Sequence, residues 1–156
     1  MNKQIDLLAK KLIDARLMMA TAESCTGGGI AQALTDISGS SQWFDSGLVT
    51  YSNEAKQRLL GVPNELIDQW GAVSEPVAKS MAEGAANQEG VDLAVAVTGI
   101  AGPTGGSKDK PVGTVWIAWK IPNKQSEARC FKFDGDRSVI RQATINAAIT
   151  GLLERL

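Results

Sequence analysis

The chain has 156 residues, 44% of them hydrophobic, with 16 Lys and Arg spread among 17 Asp and Glu for a formal net charge of −1. That size fits one globular domain, residues 1–156, able to bury a substantial core, and the absence of a basic block disfavours nonspecific nucleic-acid binding. There is no histidine, which removes Ser-His-Asp and Cys-His catalysis and every His-ligated zinc site.

In chain order, Ile5, Leu8, Leu12 and Ala15 recur at helical spacing with charged residues between them, predicting an amphipathic helix. Residues 17–22 (LMMATA) read as a buried strand that stops where polar side chains crowd together and three glycines precede a helical pattern over about 28–35. Ser24, Cys25 and Thr26 therefore fall at a strand-to-helix turn. Such a turn presents backbone N–H groups to a phosphate or an oxyanion, or is a tight turn with a capping hydroxyl and nothing more. Residues 46–51 predict a second strand, with Ser52 and Asn53 as N-cap for a helix over 54–60 that Gly61 ends. A short helix follows from Pro63 to Trp70, then a longer one through about Gln88, with Ser74 as its cap and Pro76 in its first turn.

Residues 91–98 (VDLAVAVT) form a nearly continuous apolar run, as expected of a strand covered on both faces. A Gly-rich loop, 99–107, comes next. Residues 113–120 and 128–133 predict two further strands joined as a hairpin through Pro122, Asn123 and Lys124. Asp136 caps a last helix in which Val139, Ile140, Ala143, Ala147, Leu152 and Leu153 lie mainly toward one side. This order predicts a three-layer α/β/α domain with a mixed, mostly parallel five-stranded sheet. Ligands in such sheets gather at the carboxyl ends of the strands, so parallel strands would bring the stretches after Ala22, Thr50 and Val97 to one edge.

At that edge the candidate nucleophiles are Ser24, Cys25 and Thr26. Without histidine, the proton must pass to a lysine, a tyrosine, a carboxylate or a water. Lys56, one helical turn after Asn53, is the nearest base in sequence logic, provided it turns inward against the usual exposure of lysine. Tyr51 either relays a proton or is an ordinary strand-end tyrosine. Cys25 has the character of a small buried side chain, and Cys25 and Cys130 are too few and too far apart for a disulfide framework or a Cys-based metal site. The 99–107 loop lacks the Gly-Lys-Ser/Thr ending and a correctly placed dinucleotide fingerprint, so nucleoside triphosphates and NAD are poorly supported. Its glycines let the backbone approach a ligand, or form a lid or plain loop. Arg137 and Arg141, spaced i, i+4, suit a phosphate, although a solvated face is the reading favoured. Asp45 and Glu75 stand near junctions with no partner that can be named. No apolar run approaches the ~20 residues of a membrane span, and the amino terminus has no signal pattern, so a cytoplasmic protein without membrane association is expected.

Taken together, AESCTGG at 22–28, GSS at 39–41, VTYSNEAK at 49–56, GAVSEP at 71–76, TGIAGP at 98–103 with Gly105 and Gly106, KPVGTV at 110–115 and GDR at 135–137 resemble the CinA carboxy-terminal domain family, whose stand-alone members are nicotinamide-nucleotide amidases. The match runs in order from about residue 20 to 141, and the amino-terminal domain of longer family members is expected to be missing. The resemblance implies hydrolysis of the carboxamide of nicotinamide mononucleotide to nicotinic acid mononucleotide and ammonia, with no metal and no organic cofactor. It implies Ser24 as nucleophile, Lys56 as base and Tyr51 in support. Amides around Thr26 and Gly27, with Thr98, would hold the oxyanion. Asn53 and the loop glycines Gly99, Gly102 and Gly105 would contact substrate, and that loop with Arg137 would take the phosphate. A homodimer is expected, although four tryptophans fit a core equally well. The competing reading is a non-catalytic pyridine-nucleotide-binding module linked to competence or recombination.

Overall fold

The computed structural model describes residues 1–156. Five strands, β1 (Met19–Glu23), β2 (Phe44–Val49), β3 (Leu93–Gly99), β4 (Thr114–Lys120) and β5 (Glu127–Lys132), form one sheet in the order β2-β1-β3-β4-β5. β1 pairs in parallel with β2 and β3, while β4 runs antiparallel to both β3 and β5. Only β4 points the other way, so the sheet is mixed and mostly parallel, as expected.

Helices cover both faces. On one side lie α1 (Asn2–Ala15), α2 (Gly29–Thr35) and α6 (Arg137–Arg155); on the other lie α3 (Asn53–Leu60), α4 (Asn64–Trp70) and α5 (Glu75–Ala86). Strand alternation assigns the two cores. Leu93, Val95 and Val97 of β3 join Ile5, Leu8, Leu12, Ile30 and Ile149 on the first side, whereas Ala94 and Ala96 join Val77, Met81 and Leu60 on the second. Full burial of each large aliphatic side chain contributes about 1.5–3 kcal/mol. The alanine face lets α5 lie close to the sheet, and α5 also meets the end of α3 so tightly that a Cβ at Gly84 would overlap the Leu60 carbonyl.

The expected elements all form, with three corrections. β2 ends at Val49 rather than Tyr51, because its only sheet neighbour is β1, whose last residue Glu23 pairs with Val49. Ser74 stands at the N-cap of α5, yet its hydroxyl donates to the Gly71 carbonyl at 2.8 Å instead of capping; Ser52 and Asp136 do cap their helices, accepting from the Ala55 and Val139 amides. The inward face of α6 runs through Ile140, Thr144, Ile145, Ala148, Ile149 and Leu152, leaving Val139 half exposed over Gly135. No helix is long and apolar enough to cross a membrane.

Two opposed crossovers position the site. From β1 the chain passes through α2 to β2 on one flank, and from β2 it returns through α3, α4 and α5 to β3 on the other flank of β1. The carboxyl ends of β1, β2 and β3 thus share one edge at the point where the strand order reverses, which in open α/β sheets is where ligands bind.

Candidate active site

Strand alternation aims two successive residues in opposite directions. Glu23, in phase with Met19 and Thr21, turns toward α2; Ser24, whose amide still donates to the Val97 carbonyl at 3.1 Å, follows the phase of Ala22 toward α3. There Ser24 meets Lys56. The lysine lies on the inward face of α3, only 1% exposed, and its Nζ is 3.0 Å from Ser24 Oγ, 2.9 Å from the Thr50 carbonyl and 3.4 Å from the Tyr51 carbonyl. It forms no salt bridge.

Burial lowers the pKa of the Lys56 amine from its ordinary 10.5, because the ammonium form is the one that loses hydration. A neutral amine has two N–H donors and one lone pair, which matches two carbonyl acceptors and one hydroxyl that can donate its proton. Cys25 contrasts with this. Burial pushes its thiol up to about 12, and it stays protonated at neutral pH.

Ser24, Tyr51, Asn53, Lys56, Thr98, Gly99, Gly102, Gly105 and Arg137 line one cavity of about 310 Å³. Two expected residues, Thr26 and Gly27, are not in its wall. The Gly27 amide donates to the Ser24 carbonyl at 3.0 Å, and the Ile30 and Ala31 amides at the start of α2 donate to the Glu23 carboxylate at 2.8 and 3.0 Å. Of the amides expected to serve an oxyanion, that of Gly27 is occupied, whereas the Thr26 N–H donates to no protein acceptor. Cys25, which does line the cavity, has an N–H that donates to no backbone carbonyl and lies against its own thiol. Thr98 is also committed, since its hydroxyl donates to the Ala72 carbonyl at 2.9 Å and keeps only lone pairs to offer.

The two α6 arginines do not pair on one ligand, nor do they form a merely solvated face. Arg137 donates to the Gly102 carbonyl at 2.8 Å and to the Tyr51 hydroxyl at 3.1 Å, bracing the glycine loop against the end of β2. Arg141 reaches the Thr26 carbonyl at 3.0 Å. Tyr51 thus contacts Lys56 through its backbone carbonyl, while its phenol faces Arg137. In the glycine loop, Gly102 adopts φ +73°, and a Cβ there would come within 2.5 Å of Val112. The amides of Ala101, Gly102, Thr104, Gly105 and Gly106 donate to no protein acceptor. Asp45 and Glu75 lie outside the cavity wall, Glu75 pairing with Lys79 at 3.0 Å.

Two groups bonded around Ser24 and Lys56 were not expected. Glu23 is a fully buried acid closing an otherwise apolar strand, three residues before a hydroxyl and without a basic neighbour in sequence, a pattern that signals a carboxylate bonded to backbone donors. The Thr50 carbonyl carries no side-chain signal and was not legible.

Fold and site together define a three-layer α/β protein with a small-molecule cavity at the switch point of its sheet and a buried serine–lysine contact in the cavity wall. The chain belongs to the CinA family, the CinA C-terminal domain model matching residues 1–156. It is 56% identical over 137 residues to the nicotinamide-nucleotide amidohydrolase PncC of Pseudomonas putida, covering 87% of this chain and 84% of that protein. A CinA-like protein of Geobacter sulfurreducens is 52% identical over 99% of this chain, which spans only 38% of that longer relative. Among solved structures, a competence-damaged protein (CinA) superfamily protein from Escherichia coli superposes with a TM-score of 0.94 at 37% identity, covering 98% of this chain and 88% of that one.

Proposed function

We propose that this chain hydrolyses the carboxamide of nicotinamide mononucleotide to nicotinic acid mononucleotide and ammonia, with Ser24 as nucleophile and Lys56 as the proton carrier. The observation that carries the reading is the 3.0 Å contact between Ser24 Oγ and a buried lysine that has no acidic partner. The activity of the P. putida relative supplies the substrate class.

Ser24 Oγ attacks the carboxamide carbon as its proton passes to the lone pair of Lys56. The tetrahedral oxyanion takes the Cys25 N–H, which has no backbone acceptor. The C–N bond then breaks, Lys56 returns the proton to the departing nitrogen, and ammonia leaves behind an ester on Ser24. Water attacks that ester with Lys56 again accepting the proton. The carboxylate product departs and Ser24 recovers its hydroxyl. Two N–H donors of the lysine stay on the Thr50 and Tyr51 carbonyls, which hold its lone pair toward Ser24.

In the same cavity, the unpaired amides of the glycine loop and the remaining N–H groups of Arg137 suit the dianionic ribose phosphate, and Asn53 also lines the wall. Incubation with nicotinamide mononucleotide and direct measurement of ammonia tests the reading. Release above background that disappears in Ser24→Ala is the expected result. Folded protein that binds the nucleotide calorimetrically but releases no ammonia points instead to the non-catalytic module.

A further inference from the structure

We propose that Glu23 is a positioning residue for the reaction: its buried carboxylate fixes the turn that presents the Ser24 hydroxyl and the Cys25 N–H to the substrate. The inference rests on the proposed amidase reading.

Glu23 is completely buried, yet no lysine or arginine pairs with it. Backbone and hydroxyl donors satisfy it instead. Oε1 accepts from the Thr26 hydroxyl at 2.6 Å and from the Ile30 amide at 2.8 Å; Oε2 accepts from the Ala31 amide at 3.0 Å and from the Thr21 hydroxyl at 3.4 Å. The carboxylate therefore ties β1, the turn and α2 into one unit. Between its anchor points the chain makes two successive turns, closed by Gly27 N–H to the Ser24 carbonyl and by Gly29 N–H to the Thr26 carbonyl, both at 3.0 Å. Arg141 holds that same Thr26 carbonyl from α6.

A simpler reading is a core carboxylate that only stabilises the fold. The placement argues for more. Glu23 is the residue before Ser24, and its short bond to Thr26 spans Ser24, which carries the nucleophile, and Cys25, which lines the cavity and whose N–H has no backbone acceptor. Relaxing that bond lets the turn rotate about Ser24 and lengthens the contact to Lys56, whose two carbonyl acceptors, Thr50 and Tyr51, stay in place between β2 and α3. Displacement of a reacting group by about 1 Å costs on the order of 100-fold in rate.

The test compares Glu23→Gln, Thr26→Val and Thr26→Ser with wild type and Ser24→Ala, assaying ammonia release well below each melting temperature. A glutamine at position 23 sets its NH2 against at least one backbone N–H donor, and valine at 26 removes the hydroxyl at nearly constant volume. Both are expected to lower kcat by about 10- to 100-fold with KM for nicotinamide mononucleotide within about threefold of wild type, because the phosphate contacts lie elsewhere. Thr26→Ser, which keeps the hydroxyl, is expected to restore most of the rate. Ile5→Val, a mild core truncation on α1, controls for stability and is expected to leave kcat unchanged. Wild-type kcat in Thr26→Val, or a serine variant no better than the valine variant, overturns the inference while leaving the amidase reading intact; if Glu23→Gln does not fold, the Thr26 pair decides. A wild-type protein that releases no ammonia, or an active Ser24→Ala, overturns the amidase reading itself.

Discussion

Lys56 Nζ lies 3.0 Å from Ser24 Oγ across a gap of 32 residues, and the lysine is buried with no carboxylate within salt-bridge distance. An amine in that position does not serve as a structural counter-ion. Replacing either partner with alanine is expected to reduce turnover by ~2–4 orders of magnitude, as for members of a unit that acts together. Cys25→Ala is expected to keep a rate within about an order of magnitude of wild type, because a thiol with a pKa near 12 supplies no nucleophile at neutral pH. Tyr51→Phe should fall between the two groups, since the carbonyl that holds Lys56 is retained. Steady-state ammonia release by the four variants checks this ordering; a dead Cys25→Ala beside an active Ser24→Ala reverses the assignment of nucleophile.

The lowered Lys56 pKa has a consequence for stability as well as for rate. Only the neutral amine is a base, so kcat/KM should rise with pH through the depressed Lys56 pKa and level off above it. The folded state binds its proton less tightly than the unfolded chain does. Wild type therefore loses stability as pH falls from about 10.5 to the folded pKa, and no further from this group below that. Lys56→Met removes the titration, so the melting temperature of the variant minus that of wild type should grow as pH is lowered across that window. A difference that stays flat with pH shows that Lys56 titrates as an ordinary lysine.

Much of the fold and of the grouping of side chains around the cavity is legible in the sequence, for reasons that can be located in particular residues. The apolar phase of α1 and the β-branched run in β3 fix their own elements, and the Gly-rich stretches mark where the strands end. Lys56 was also legible in part: it precedes the buried Leu60 by four residues, so the helical period already places it on that face. What obscured it is the general exposure of lysine, which an interior cavity overrides here. The directions of Arg137 and Arg141 were not legible, because the same i, i+4 spacing serves a shared anion or two separate carbonyls, and only the packing of α6 against the Ser24 turn and the glycine loop decides between them. The internal bonds of the Gly27 N–H and the Thr98 hydroxyl were not legible either, because side-chain type and loop composition do not reveal which N–H and O–H groups are spent on internal acceptors.

A covalent route through Ser24 makes an ester intermediate that a nucleophile stronger than water can intercept. Added hydroxylamine should attack that ester carbonyl, forming the hydroxamate of nicotinic acid mononucleotide and regenerating the Ser24 hydroxyl. Hydroxamate yield, read by mass spectrometry, should rise with hydroxylamine concentration at the expense of the carboxylate and vanish in Ser24→Ala. Carboxylate as the sole product at every hydroxylamine concentration contradicts an acyl-enzyme and favours direct attack by a lysine-activated water.

If Arg137 holds the phosphate, its replacement separates binding from chemistry. Its guanidinium is tied to the Gly102 carbonyl and the Tyr51 hydroxyl in the cavity wall, and its other N–H groups have no protein acceptor. Wild type should therefore favour nicotinamide mononucleotide over the corresponding riboside, which has the same carboxamide and ribose but no phosphate. Loss of a charge-assisted contact costs about 1.5–3 kcal/mol, roughly a 10- to 150-fold effect. Arg137→Met should raise KM for the mononucleotide by about that factor while changing kcat far less, and it should leave the riboside nearly unaffected. The comparison of two substrates matters because methionine also releases the Gly102 carbonyl, and a collapse of the loop would penalise both substrates alike. Equal losses for mononucleotide and riboside would thus make Arg137 a brace for the loop, whereas a loss confined to the mononucleotide identifies it as the phosphate ligand.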